Sequence, residues 1–221
     1  DEGNAAGAEI ELRKALAAKF PDAQVLPELA NAMLLQGQTK KVIDDFGQAR
    51  FGAPAADASL QTTLAAAYGI LGMADQTDAA LAAALQAKPD HSPALILHAR
   101  RKAAARDVDG ALQTLDEVIA KEAGNAEAFK LKGDLLLARG TSDEALAAYR
   151  KSIEVQPRFV AGHIALLTQL MKQGQLDEAD KQLQELKRFA GGNPQTRYLG
   201  AQLAYLKKDF SVVNPRYFEF A

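Results

Sequence analysis

A glycine that returns at a fixed step constrains this chain more than any other feature. Gly140 is followed at 34-residue steps by Gly174 and Lys208, and preceded by Arg106, Gly72 and, with one residue of slippage, Gly37 and then Gly3. Four of those six partners are glycine. A second position keeps the same step with small residues: Ala145 recurs as Ala111 and Ala179, with Thr77 and Val42 in the earlier copies. A third is proline, with Pro157 matched by Pro89 and Pro54. Self-similarity at this period means stacked supersecondary units, none of which buries its apolar face alone.

The alphabet says what each unit is made of. The chain has 45 Ala and 29 Leu in 221 residues, against 23 of Val, Ile and Thr combined. Helix formers therefore far outnumber strand formers. Each unit reads as two antiparallel helices, with the glycine as the left-handed cap of the first. The small residue sits where the second helix crosses closest to the first, and the proline stops the second helix. Helices are expected at 5–20, 23–36, 39–52, 58–71, 75–87, 92–105, 108–121, 126–139, 142–155, 160–173, 176–189 and 194–207. The corresponding divisions are a second helix alone in 1–22, units at 23–57, 58–91, 92–125, 126–159 and 160–193, and a partial unit in 194–221. Because Gly3 holds a turn position, the chain is expected to open in mid-unit, with further sequence upstream. Asn214-Pro215 breaks the last helix pattern. The aromatic tail Arg216 to Phe220 is expected to cap the final helix or dock into a neighbouring molecule.

Phe129, Gly133, Leu136, Gly140, Ala145, Tyr149 and Pro157 lie at the offsets of the tetratricopeptide repeat, and the chain resembles that family. Lys132 departs from the pattern, where leucine is usual. The resemblance implies an all-α, right-handed superhelical solenoid of antiparallel helix pairs that binds protein or peptide in its concave groove. It also implies that positions 2, 5, 9 and 12 of each first helix face the groove. Mapped here, these are Gln24, Pro27, Asn31 and Leu34; Ser59, Thr62, Ala66 and Gly69; Pro93, Ile96, Arg100 and Ala103; Glu127, Lys130, Asp134 and Leu137; Ala161, Ile164, Thr168 and Met171; and Gln195, Tyr198, Gln202 and Tyr205. Asn31, Thr62, Arg100, Lys130, Asp134, Thr168, Tyr198, Gln202 and Tyr205 are the candidate contacts. Members that clamp a terminal carboxylate pair a lysine at position 5 with an asparagine at position 9. Here Asn31 lacks the lysine and Lys130 lacks the asparagine, which argues against that mode. Tyr198 and Tyr205, seven apart, share a face suited to stacking on an extended ligand or to burial against a further unit.

Longer runs narrow the resemblance. Glu9-Ile10-Glu11-Leu12-Arg13-Lys14-Ala15-Leu16, the stretch from Val25 to Gly37, Leu131-Lys132-Gly133-Asp134-Leu135-Leu136-Leu137 and Ala145-Leu146-Ala147-Ala148-Tyr149-Arg150-Lys151 are similar to the tetratricopeptide lipoproteins of bacterial PEP-CTERM/exosortase sorting and exopolysaccharide export. That resemblance implies a Gram-negative envelope setting, in the periplasm or at the outer membrane, with polysaccharide export machinery among the partners. Family members carry more repeats and a lipidated N-terminal cysteine, neither of which is in this sequence.

Composition trims the remaining classes. With 26 basic and 28 acidic side chains the net charge is −2, which argues against nucleic-acid binding by bulk electrostatics. There is no cysteine, so disulfides, thiolate metal sites and a cysteine nucleophile are out. His91, His98 and His163 have no i, i+3 or i+4 pairing, and the acidic pairs Asp143-Glu144 and Asp177-Glu178 read as helix starts. No catalytic, cofactor or metal site is expected. His98, Arg100, Arg101, Lys102 and Arg106 crowd one helix, which turns Leu95, Ala99 and Ala103 inward if the bases stay solvated. The alternatives to an envelope scaffold are a self-assembling structural module and a cytoplasmic chaperone adaptor that recognises acidic termini near Arg100.

Overall fold

The computed structural model describes residues 4–208; Gly3, with the mid-unit opening expected there, and the tail after Lys208, expected to cap the last helix or dock into a neighbour, lie outside the described residues. Among the described residues there are twelve α-helices and no strand. They are α1 (Ala5–Ala17), α2 (Asp22–Leu35), α3 (Thr39–Phe46), α4 (Pro54–Ile70), α5 (Ala74–Ala87), α6 (Ser92–Ala104), α7 (Val108–Lys121), α8 (Ala126–Arg139), α9 (Ser142–Val155), α10 (Val160–Lys172), α11 (Leu176–Ala190) and α12 (Pro194–Leu206). The chain forms two compact units, Asp1–Arg106 and Asp107–Ala221.

In the first unit α2, α4 and α6 lie side by side, with α3 and α5 packed against them and α1 against α2. Leu29, Met33, Val42, Leu60, Leu64 and Leu81 form the core. Each such side chain contributes about 1.5–3 kcal/mol by leaving water. In the second unit α8, α10 and α12 carry the same relation to α7, α9 and α11. Its centre holds Leu115, Val118, Leu146, Leu167, Leu170, Leu186 and Leu203.

All six described turn positions have left-handed backbone. Gly37, Gly72, Gly140 and Gly174 have φ of 76°, 72°, 91° and 72°, and Arg106 and Lys208 adopt 67° and 57°. The backbone conformation thus repeats even where the residue does not. The small-residue positions are equally regular: Ala111, Ala145 and Ala179 are wholly buried, as are Val42 and Thr77. Gly133 marks a second close approach, since a Cβ there would lie 2.5 Å from the ring of Tyr149. Lys132, the departure from the repeat pattern, reaches back from α8 to Asp116 of α7 at 2.5 Å.

The first helix, expected over 5–20, ends at Ala17, before Lys19 turns at φ 61°, and one pair departs further from expectation. The helix expected over 39–52 stops at Phe46, and the one expected at 58 starts at Pro54. Pro54 therefore opens a first helix instead of ending a second one, as Pro194 does for α12. The cause is local. Gly52 turns the chain at φ 64°, and Asp57 in the first turn of α4 accepts a hydrogen bond from the Phe51 amide at 2.8 Å. Proline at the first helical position gives up no hydrogen bond, so this arrangement is the cheaper use of it.

Candidate peptide-binding groove

In the first unit a depression of about 220 Å³ opens along α2, α4 and the start of α6. Pro27, Asn31 and Leu34 of α2, Ser59, Thr62 and Ala66 of α4, and Pro93 of α6 line it, all at positions expected to face a groove. Glu28, Thr63 and His91 complete the lining and were not expected there. Glu28 and Thr63 are three and four residues from Asn31 and Ser59, a spacing that marks a shared helix face. His91 sits in a loop, flanking α6 as its N-cap residue, where periodicity gives no signal.

The lining is polar but carries little charge. Thr62 donates its hydroxyl to the Ala58 carbonyl at 2.7 Å, and Thr63 donates to Ser59 at 3.2 Å. Both hydroxyl protons are committed to the backbone, leaving oxygen lone pairs as acceptors. Asn31 is exposed and offers both a donor and an acceptor. Glu28 is the one ionisable carboxyl in the lining, and no lysine or arginine contributes to it. Such a surface suits the backbone and uncharged side chains of an extended segment, and is poorly matched to a free carboxylate.

The other expected groove residues are placed differently. Ile96 is 4% exposed and belongs to the core of α6, and Met171 is 7% exposed on α10. Both are core residues, which position alone does not reveal. Arg100 is exposed and lies outside the depression. Its neighbour Arg101 makes a two-pronged pair with Asp78 of α5, at 2.8 and 2.6 Å. Leu95 and Ala99 do turn inward as the core face of α6. The half-buried His98 is shifted toward its neutral form, first by burial and then by the Lys102 charge.

In the second unit Lys130 and Asp134, one turn apart on α8, pair with each other at 2.7 Å. Asp134 also accepts from the buried Tyr149 hydroxyl at 2.9 Å. Burial first, and the Asp134 charge second, push the Tyr149 phenol up and keep it a donor. Thr168 is half-buried on α10, whereas Tyr198, Gln202 and Tyr205 form an exposed row on α12. His163 is buried, with Nε2 at 3.0 Å from the Pro157 carbonyl, Nδ1 against Gln182 and Phe189 edge-on at 5.1 Å. Those contacts make it a structural histidine that holds α10 to α11. No three His, Asp or Glu residues gather into a metal-binding group among the described residues. No helix among them is long and apolar enough to cross a membrane.

Antiparallel helix pairs, left-handed turns at a 34-residue step and first helices side by side define an α solenoid of the tetratricopeptide type. Solved structures with this fold include PilF of Pseudomonas aeruginosa, with a TM-score of 0.64 at 16% identity over 86% of each chain. A tetratricopeptide repeat protein from Parabacteroides merdae gives a TM-score of 0.63 at 17% identity, over 96% of this chain and 84% of that one. PilW, described as a widely conserved type IV pilus biogenesis factor, gives 0.61 at 15% identity over 95% and 89%. At these identities the likeness concerns the fold. No family model and no curated sequence matches the chain.

Proposed function

We propose that this chain is a non-enzymatic scaffold that holds an extended, uncharged stretch of a partner protein in the groove of α2, α4 and α6. The observation that carries this reading is the depression whose lining alternates proline and aliphatic surface with Asn31, Ser59, Thr62 and Thr63. It offers hydrogen-bonding groups for a peptide backbone and no cation for a terminal carboxylate. Of the solved structures with this fold, PilF comes from Pseudomonas aeruginosa and PilW is described as a type IV pilus biogenesis factor. Together with the resemblance of the longer runs, this favours a role in a Gram-negative envelope system for protein sorting and exopolysaccharide export. The test is to select peptides from a random library on the intact chain and titrate the best one against Thr62→Arg and Asn31→Ala. A loss of about ten-fold or more in each supports the groove, since about 1.4 kcal/mol is at stake. Unchanged affinity in both variants moves recognition elsewhere.

A second reading has its own support. Tyr198 and Tyr205 are 63% and 56% exposed on α12, a face suited to a second copy of the chain. Light scattering across a concentration series, repeated on Tyr198→Ser/Tyr205→Ser, decides it: mass that rises with concentration and collapses in the variant favours self-assembly.

A further inference from the structure

The first unit carries an apolar edge that its groove does not use. Leu35 at the C-terminus of α2 is 66% exposed, and Ile70 and Leu71 at the end of α4 are 64% and 39% exposed. These two helix ends lie together, because Leu71 shares a surface depression with Gly37, Gln38, Thr39, Lys40 and Lys41. Leu71 thus lies beside two exposed lysines, and Leu35 and Ile70 are exposed at the same two helix ends.

The lysines are placed against local helix energetics. α5, α7, α9 and α11 each open with an acidic residue in the first turn, as the helix dipole favours. α3 opens with Lys40 and Lys41 and no acid, and Asp44 and Asp45 come only one turn farther from the edge. Exposed aliphatic chains rimmed by cations match an interfacial lipid layer with anionic headgroups. A second protein is a poorer match. The aliphatic surface is on the order of 300 Å², against the ~800 Å² per partner of a stable protein interface.

We propose that the edge formed by Leu35, Ile70, Leu71, Lys40 and Lys41 docks the chain on an anionic bilayer surface. Leu35, Ile70 and Leu71 enter the headgroup boundary while the lysines meet lipid phosphates. The groove of α2, α4 and α6 is lined by other residues and takes no part. This inference is independent of what the groove binds.

Co-sedimentation of the intact chain with phosphatidylglycerol vesicles, and with phosphatidylcholine vesicles, at about 50 mM salt tests it. The chain is expected to pellet with the anionic vesicles, to remain in solution with the zwitterionic ones, and to be released by added salt. Lys40→Gln and Lys41→Gln should each weaken binding about five-fold. Leu35→Ser/Ile70→Ser should lower it at least as much with an unchanged circular dichroism spectrum, since both side chains are exposed. Thr62→Arg should leave it no weaker. No pelleting with phosphatidylglycerol vesicles overturns the proposal, as does equal binding to both vesicle types. Binding untouched by the lysine and aliphatic variants also overturns it.

Discussion

Arg106 and Lys208 show how the repeat is encoded at the scale of single residues. Both occupy the turn position in the left-handed region, at φ 67° and 57°, where a side chain costs roughly 1–2 kcal/mol relative to glycine. Glycine recovers that strain but loses about 0.5–1 kcal/mol to unfolded-state entropy. Arg106→Gly is therefore expected to raise stability by about 0.5–1 kcal/mol, and Gly140→Ala to lower it by about 1 kcal/mol, measured by urea unfolding. The glycine step was legible in the sequence, and it located even the two turns that lack glycine. The role of His163 was not legible, because its partners Pro157, Gln182 and Phe189 lie six or more residues away. Burial favours its neutral form, outweighing the Pro157 carbonyl and Glu185, so its folded pKa lies below 6.5. The unfolded state then binds more protons below that pH, and stability rises with pH there. His98 acts in the same direction. Thermal unfolding should show a midpoint that falls as pH drops below about 6.5, with a shallower fall in His163→Gln.

At the scale of elements, packing inside a helix pair follows from small residues opposite large ones. Gly133→Ala gains about 1 kcal/mol in helix propensity but drives its Cβ into the Tyr149 ring 2.5 Å away. Overpacking of that kind costs about 1–3 kcal/mol, so a net loss of up to about 2 kcal/mol is expected. Tyr149→Leu in the same chain should recover part of it, a coupling that a double-mutant cycle measures. The ranges of α7, α8 and α9 agree with those read from the sequence, because apolar period, cap and glycine all point to the same ends. α3 and α4 do not, since proline stops a helix from inside but starts one at its first position. The Asp57 to Phe51 bond settled that choice, and it is a contact six residues apart with no pattern to announce it. α1 has no buried residue, although the Glu9 carboxylate gathers Arg13, Gln36 and Gln38, which hold it below its ordinary pKa. Its amides should exchange faster than those of α4, which buries seven residues.

At the scale of the molecule, two compact units present different first-helix surfaces. The first has a nearly uncharged depression. The second consumes its charged candidates internally, with Lys130, Asp134 and Tyr149 satisfying one another, and exposes the tyrosines of α12. Seven residues that line this depression stand at positions the tetratricopeptide resemblance implies, and to that extent they were legible. The burial of Ile96, the internal pairing of Lys130 and the contribution of His91 were not, because each depends on a neighbouring helix or a loop. The proposal that α2, α4 and α6 hold an extended segment predicts where a bound peptide slows amide exchange. Hydrogen exchange of the intact chain, with and without a saturating library-selected peptide, tests it most directly. New protection confined to α2, α4 and the start of α6 is the result expected; protection confined to α3 and α5, or to the second unit, contradicts it.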